Sequence, residues 1–169
     1  MRTDNLLSAL ILLTFCVILL YLLIRLTISG WKRNYFPTGA LTNAHSAALS
    51  GQLISAATLT TATLFPLKDY LNLISSAGHI SLSAGPLWGL LLICACTAGA
   101  AYLLAATLAK MVAKTIFKGK STAVEFQENN VTYGILYGVI TVAFALAFIL
   151  PVIVLVQGWI PMPSIPTIR

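Results

Sequence analysis

Carboxylates, histidines and cysteines are the side chains in this sequence that could support catalysis or bind a metal. The four carboxylates are Asp4, Asp69, Glu125 and Glu128. None lies deep within a long apolar segment, the position typical of an intramembrane proton relay. His45 lies inside one such segment near its first end, and His79 lies in the loop on the opposite side of the membrane, so they cannot share a metal or haem. We therefore predict no catalytic residue, no metal site, no cofactor and no enzymatic activity.

The elements that must position any site are apolar. Of the 169 residues, 59% are hydrophobic and 8% charged, and the mean hydropathy is +0.93. A water-soluble chain has about 25% charged residues. A membrane-spanning helix needs about 20 mainly apolar residues, and backbone amides in lipid must bond within the segment. The sequence thus predicts an all-α polytopic membrane protein with four transmembrane helices, over residues 6–28, 43–65, 86–118 and 123–157.

Basic residues predict the orientation of the chain. Seven of them flank the loops after the first and third helices: Arg25, Lys32, Arg33, Lys110, Lys114, Lys118 and Lys120. The positive-inside rule places these two loops in the cytoplasm and both termini outside. We expect the basic residues to contact anionic lipid headgroups or an acidic partner. Because this asymmetry explains the net charge of +6, we predict no nucleic-acid binding.

The segments between the helices contain further signals. Trp31 is predicted in an interfacial first loop, and residues 66–85 in a loop along the outer interface. Thr122 and Glu125 fit a capping box, in which Thr122 caps a helix and Glu125 bonds back to the cap. The fourth helix would then begin near Ala123 and carry Glu128 at its entrance, with a kink near Pro151.

Two helices share a line of small residues that follows an asparagine. The matched positions are Asn43, Ala47 and Gly51 in the second helix and Asn130, Gly134 and Gly138 in the fourth. Such spacing puts small residues on one helix face, where two backbones can pack closely. The match predicts two repeats in parallel orientation, over about 5–66 and 84–157. The asparagines would either bond across the interface or line a polar pathway with Gln52 and Glu128.

This pattern resembles the DUF350 family. The shared features are a basic loop, an acidic or amide run, and an asparagine with small residues four and eight positions later, all occurring twice in a four-helix chain. The second unit, "VEFQENNVTYGILYGVITVAFALAF", carries the resemblance best; in the first, Thr42 stands where an acidic or polar residue is usual. The resemblance implies a small bacterial inner-membrane protein of two repeats, without implying an activity.

Two functions are compatible with these features. The first is a non-enzymatic assembly or accessory subunit that acts through close helix packing, as a homo-oligomer or within a larger membrane complex. The second is a small channel or transporter, whose pathway for an ion or polar solute would lie between the repeats. Its polar lining would comprise Asn43, Gln52, Asn130, Thr58, Thr60 and Thr61.

Overall fold

The computed structural model describes residues 3–35, 42–76, 85–117 and 121–160. Every regular element among these residues is helical, which confirms the all-α class. The helices are α1 (Thr3–Tyr35), α2 (Asn43–Ser76), α3 (Gly85–Ile116), α4 (Thr122–Gln127), α5 (Val131–Ala147) and α6 (Ile149–Gln157).

Three helical segments are long and apolar enough to cross a membrane, judged by length and composition. They are Leu6–Trp31 in α1, Leu87–Ile116 in α3 and Val131–Gln157, which covers α5 and α6. These segments suggest a membrane protein. The 34-residue α2 is also long enough, but its many alanine, serine and threonine residues make it less apolar.

The least apolar long helix, α2, lies at the centre of the bundle. It contacts α1, α3, α5 and α6. Its small and polar residues are therefore covered by other helices; examples are Ala48, Ser55 and Thr63, all with 0% exposure. The large exposed aliphatic residues lie mainly on α1, α3, α5 and α6. The contacts of Ala44 with Gly134, and of Gly51 with Gly138, show that α2 and α5 run in the same direction.

Two predicted loops begin later than expected, because buried side chains hold the adjoining helices. α1 continues to Tyr35, so Trp31 is a helical residue with 5% exposure and not part of an interfacial loop. α2 continues through Pro66 to Ser76. Beyond the proline, Leu67 and Leu71 are fully buried in a cluster with residues of α3. Packing of this kind supports a helix across a proline.

The predicted helix over 123–157 is divided in two places. Asn129 has a positive φ of 52°, a left-handed conformation that does not continue a right-handed helix. The chain therefore turns between α4 and α5. The helix is divided again at Phe148, three residues before Pro151. The Phe148 amide still donates to the Phe144 carbonyl at 3.0 Å, and the Phe148 carbonyl still accepts from the Val152 amide at 2.9 Å. The chain therefore keeps a helical course, and Pro151 removes one N–H donor from it.

The predicted capping box is wrong in its register. Ser121, and not Thr122, is the N-cap of α4, and its hydroxyl accepts a hydrogen bond from the Val124 amide at 3.3 Å. Thr122 is buried, and its hydroxyl accepts from the Tyr133 hydroxyl at 2.8 Å. Because Thr122 is occupied by a tertiary contact, the preceding serine supplies the cap.

Candidate functional site

The backbones of α2 and α5 approach closely where these two helices cross. All three glycines at this crossing, Gly51, Gly134 and Gly138, are buried. A Cβ atom at Gly51 would overlap the backbone of Gly138, and one at Gly134 would overlap the carbonyl oxygen of Ala44. At Gly138 a Cβ atom would lie 3.1 Å from the Ala47 carbonyl oxygen. The two backbones thus touch directly, which requires glycine at these positions.

The other residues of the predicted packing face lie around this crossing. Ala47 is half-buried beside Gly138, whereas Asn43 is exposed at the first residue of α2. Glu128 is exposed in the turn between α4 and α5. The structure therefore brings Ala47 and the three glycines together, and leaves Asn43 and Glu128 outside the contact.

Asn129 links the two helices where they begin. Its side-chain oxygen accepts a hydrogen bond from the Ala44 amide at 3.1 Å. This amide is one of the first N–H groups of α2, which have no partner within the helix. The left-handed backbone of Asn129 directs the side chain towards α2, and asparagine tolerates that conformation better than most residues. A cap for α2 thus comes from a distant part of the sequence.

Asn130 and Glu125 form a second polar contact beside this cap. Asn130 is the N-cap of α5, and its side-chain oxygen accepts from the Tyr133 amide at 3.1 Å. Its side-chain nitrogen donates to the Glu125 carboxylate at 2.6 Å. Glu125 has 1% exposure, so its carboxylate is enclosed by the protein. The sequence predicted that Asn130 lies within a helix and on the packing face. In the structure it precedes α5 and does not line the α2–α5 crossing.

Aromatic rings surround the same end of the bundle. The ring of Phe126 stacks on His45 at a centroid distance of 4.8 Å, and it lies 5.0 Å from Trp31 and 5.4 Å from Tyr133. Phe126 and Tyr133 are fully buried. Thr42 contacts the Nδ1 atom of His45 at 2.6 Å through its hydroxyl. This cluster fixes α4 against α1, α2 and α5, and it assigns His45 a packing position.

Gln52 is a buried amide that follows Gly51 on α2. It has 3% exposure, and its Nε2 atom donates to the Tyr137 hydroxyl at 2.9 Å. No hydrogen-bond partner for its Oε1 atom is found among the described residues. Nearby, the hydroxyls of Tyr102 and Thr27 are 2.5 Å apart. Gln52 and these hydroxyls line a cavity of about 310 Å³, with Lys110 at its edge.

The threonines of the predicted polar pathway do not share this cavity. Thr58 and Thr61 donate to the carbonyl groups of Ile54 and Ala57 in their own helix, both at 2.9 Å. Thr60 is buried. Threonine commonly satisfies its hydroxyl in this way in a helix. Of the predicted pathway residues, only Gln52 lines the cavity.

The predicted contact residues for lipid or a partner are distributed over two helices. Arg25 is exposed on α1, and Lys110 and Lys114 are exposed on α3. Lys32 and Arg33 lie in the last turns of α1, and their side chains are outside the part that the structure describes. Lys118 also lies outside the described residues. The exposed cations on α3 remain available for an anionic group.

Several residues that shape these contacts are not marked by any pattern in the sequence. Tyr133 and Tyr137 bond through their hydroxyls, yet a tyrosine in an apolar helix indicates packing more often than a polar contact. Asn129 and Glu125 act through long-range or turn contacts that follow no periodic pattern. The described residues include no group of three or more histidine, cysteine or acidic side chains that could hold a metal. The arrangement is suited to holding helices together.

Known proteins give no further identification. No protein-family model matches the chain, and neither a curated protein nor a solved structure matches it.

Proposed function

We propose that this chain is an integral membrane protein without enzymatic activity, which acts as an assembly or accessory subunit. The observation that carries the proposal is the backbone contact between Gly51 and Gly138. A contact of this kind holds two helices in a fixed position without large side chains. The only described carboxylates that approach the site are the enclosed Glu125 and the exposed Glu128, and neither faces the crossing.

The proposed arrangement has four membrane-crossing helices in two parallel-related repeats, with α4 as a short connection. The common direction of α2 and α5 supports it, because both are second helices of a repeat. The central position of α2 also explains how a helix with so many small polar residues could cross a membrane. The resemblance to the DUF350 family and the bacterial inner membrane as location remain predictions of the sequence.

The glycine face is used within the chain, so we propose that oligomerisation uses other surfaces. The outer face of α1 offers Leu6, Leu10, Leu13 and Val17, all at least 50% exposed. Their spacing of four, three and four residues is that of a helix–helix seam. A second copy of the chain, or a helix of a larger complex, could pack there in place of lipid.

A pathway at the repeat interface is the alternative function. The described contacts favour packing over a pathway at the crossing itself, since the backbones of Gly51 and Gly138 leave no space between them. Flux of ions or polar solutes into liposomes, lost in Gln52→Leu, would support the alternative. Absence of flux in the wild-type protein would count against it.

The proposed function is tested by the oligomeric state of the purified chain in detergent. Cross-linking and native mass spectrometry should show a defined homo-oligomer or a stoichiometric complex. Leu13→Ser should weaken the assembly, whereas Leu92→Ser, at an exposed position on α3, is the matched control. A wild-type chain that is monomeric at every concentration and has no stoichiometric partner would overturn the proposal.

A further inference from the structure

One side of α2 is uncovered, although the helix contacts α1, α3, α5 and α6. Its exposed residues recur every three or four positions, the spacing of a single helix face. This open face comprises Ser50, Ile54, Ala57, Thr61, Phe65 and Lys68, with Asp69 beside Lys68. Most of these residues are small or polar, whereas α1 exposes a row of large aliphatic side chains. In membranes, small and polar residues of this kind are enriched where one helix meets another.

The two charges of the open face lie level with apolar parts of the neighbouring helices. Leu67, which precedes Lys68 on the buried side of α2, belongs to a cluster against which Leu12 of α1 packs. Leu12 lies about 9 Å from the start of the apolar segment Leu6–Trp31. Among the described residues, neither the Lys68 nor the Asp69 side chain makes an ion pair or a hydrogen bond. A charge at this depth is costly next to lipid, and charged residues within membrane spans usually pair with one another.

The hydroxyl groups of the open face need no water. Ser50 and Thr61 donate to the carbonyl groups of Ser46 and Ala57 in their own helix, both at 2.9 Å. Ile54 lines two shallow grooves, of about 370 and 400 Å³, where α2 lies beside α5 and α6. The open face can therefore contact another helix through small residues, while the grooves accept larger side chains of that helix.

The arrangement of the two charges favours a second copy of this chain over an unrelated helix. Two copies in one membrane share an orientation, so a two-fold axis between them lies along the membrane normal and equivalent residues lie at the same depth. Lys68 and Asp69 are about 100° apart around α2, on either side of the line through Thr61 and Phe65. In such a dimer, Lys68 of each copy faces Asp69 of the other, and both pairs form together.

We propose that the open face of α2 is a homodimer interface, in which Lys68 of each copy pairs with Asp69 of the other. This interface rests on the assembly role and the four-helix arrangement proposed above, and it names one surface of the assembly. The outer face of α1 then remains available for a helix of a larger complex.

The test measures dimerisation of the full chain in liposomes, by energy transfer between labelled copies. Lys68→Asp and Asp69→Lys each place like charges together, and each should weaken the homodimer at least about tenfold. Both positions are exposed, so the fold should persist. The two variants mixed together should bind each other more tightly than either binds itself, because opposite charges then meet. Lys114→Asp, at an exposed position on α3, is the control and should leave the homodimer unchanged.

Unchanged homodimers in both single variants, or no preference for the mixed dimer, would overturn the inference. A dimer that persists in Lys68→Asp and is lost in Leu13→Ser would retain the assembly role and overturn this interface alone. A wild-type chain that is monomeric and has no stoichiometric partner would overturn both.

A cysteine cross-link locates the interface without using its charges. Thr61→Cys, in a chain whose Cys16 and Cys96 are replaced by alanine, should form a disulfide-linked dimer in the membrane, because equivalent residues on the centre line approach each other. Thr107→Cys, an exposed threonine on α3, is the control and should remain monomeric under the same oxidation. Cross-linking of Thr107→Cys in preference to Thr61→Cys would contradict an interface on α2.

Discussion

Two neighbouring regions of α2 are built in different ways. On the side of α5, glycines bring two backbones into direct contact, and no side chain separates Gly51 from Gly138. Next to this contact, Gln52 donates to Tyr137 of α5 and lines a cavity with Tyr102 of α3 and Thr27 of α1. The comparison teaches that backbone contact and buried polar side chains need different residues, and that adjacent positions of one central helix can supply both.

A glycine does not by itself bring two helices together, because its effect on packing depends on the atoms that it faces. Gly89 and Gly99 in α3 have nothing within 4 Å of the position that a Cβ atom would occupy. They lie in the same kind of apolar helix as Gly134 and Gly138. These two groups of glycines therefore provide matched variants for testing whether backbone contact, and not glycine as such, stabilises the bundle.

Gly134→Leu should have the largest effect. Its side chain would overlap the backbone of Ala44, so α2 and α5 would have to separate. We expect a loss of more than about 4 kcal/mol in the free energy of unfolding, beyond most core substitutions. Thermal unfolding and size-exclusion chromatography in detergent provide the measurement. Gly89→Leu is the control and should leave both nearly unchanged; a similar loss in both variants would show that the contact is not special.

Asn129→Ala should have the next largest effect, about 2 kcal/mol. It removes the cap of the Ala44 amide, worth about 1 kcal/mol, and places alanine in the left-handed region, at a similar cost. Asn129→Gly removes only the cap, so it should lose about 1 kcal/mol. Chemical unfolding of the two variants separates the contributions. If both variants unfold like the wild-type chain, the connection between α4 and α5 does not hold α2.

Tyr133→Phe should have a smaller effect, about 1 kcal/mol, because it removes the hydrogen bond to Thr122 while the ring remains. Tyr21→Phe is the control, since Tyr21 is 59% exposed and its hydroxyl is not in the core. Unfolding of both variants in the same detergent measures the difference. No difference between them would mean that the buried hydroxyl contributes nothing to the attachment of α4.

The sequence predicts the helical class well, because long apolar segments in lipid have few alternatives to a helix. The four-residue spacing of Gly134 and Gly138 also locates a helix face, and the structure places that face against α2. Spacing is a local property, so it does not tell which backbone each glycine meets.

The connection between α4 and α5 could not be predicted in the same way. A single left-handed residue, Asn129, ends one helix and caps another. No periodic pattern marks such a residue, since its conformation depends on a partner far away in the sequence. The cap register was missed for a related reason: Thr122 looks like a cap, but its hydroxyl is used by Tyr133. The extension of α2 through Pro66 likewise depends on packing beyond the proline.

The central claim is that backbone contact between α2 and α5 forms the rigid core of this protein. The most direct test is the free energy of unfolding of Gly51→Ala and Gly99→Ala in the same detergent. A methyl group at Gly51 overlaps Gly138, so this variant should lose about 3 kcal/mol. Gly99→Ala should be neutral or more stable by about 0.5–1 kcal/mol, because alanine favours a helix. Equal stability of the two variants would contradict the claim.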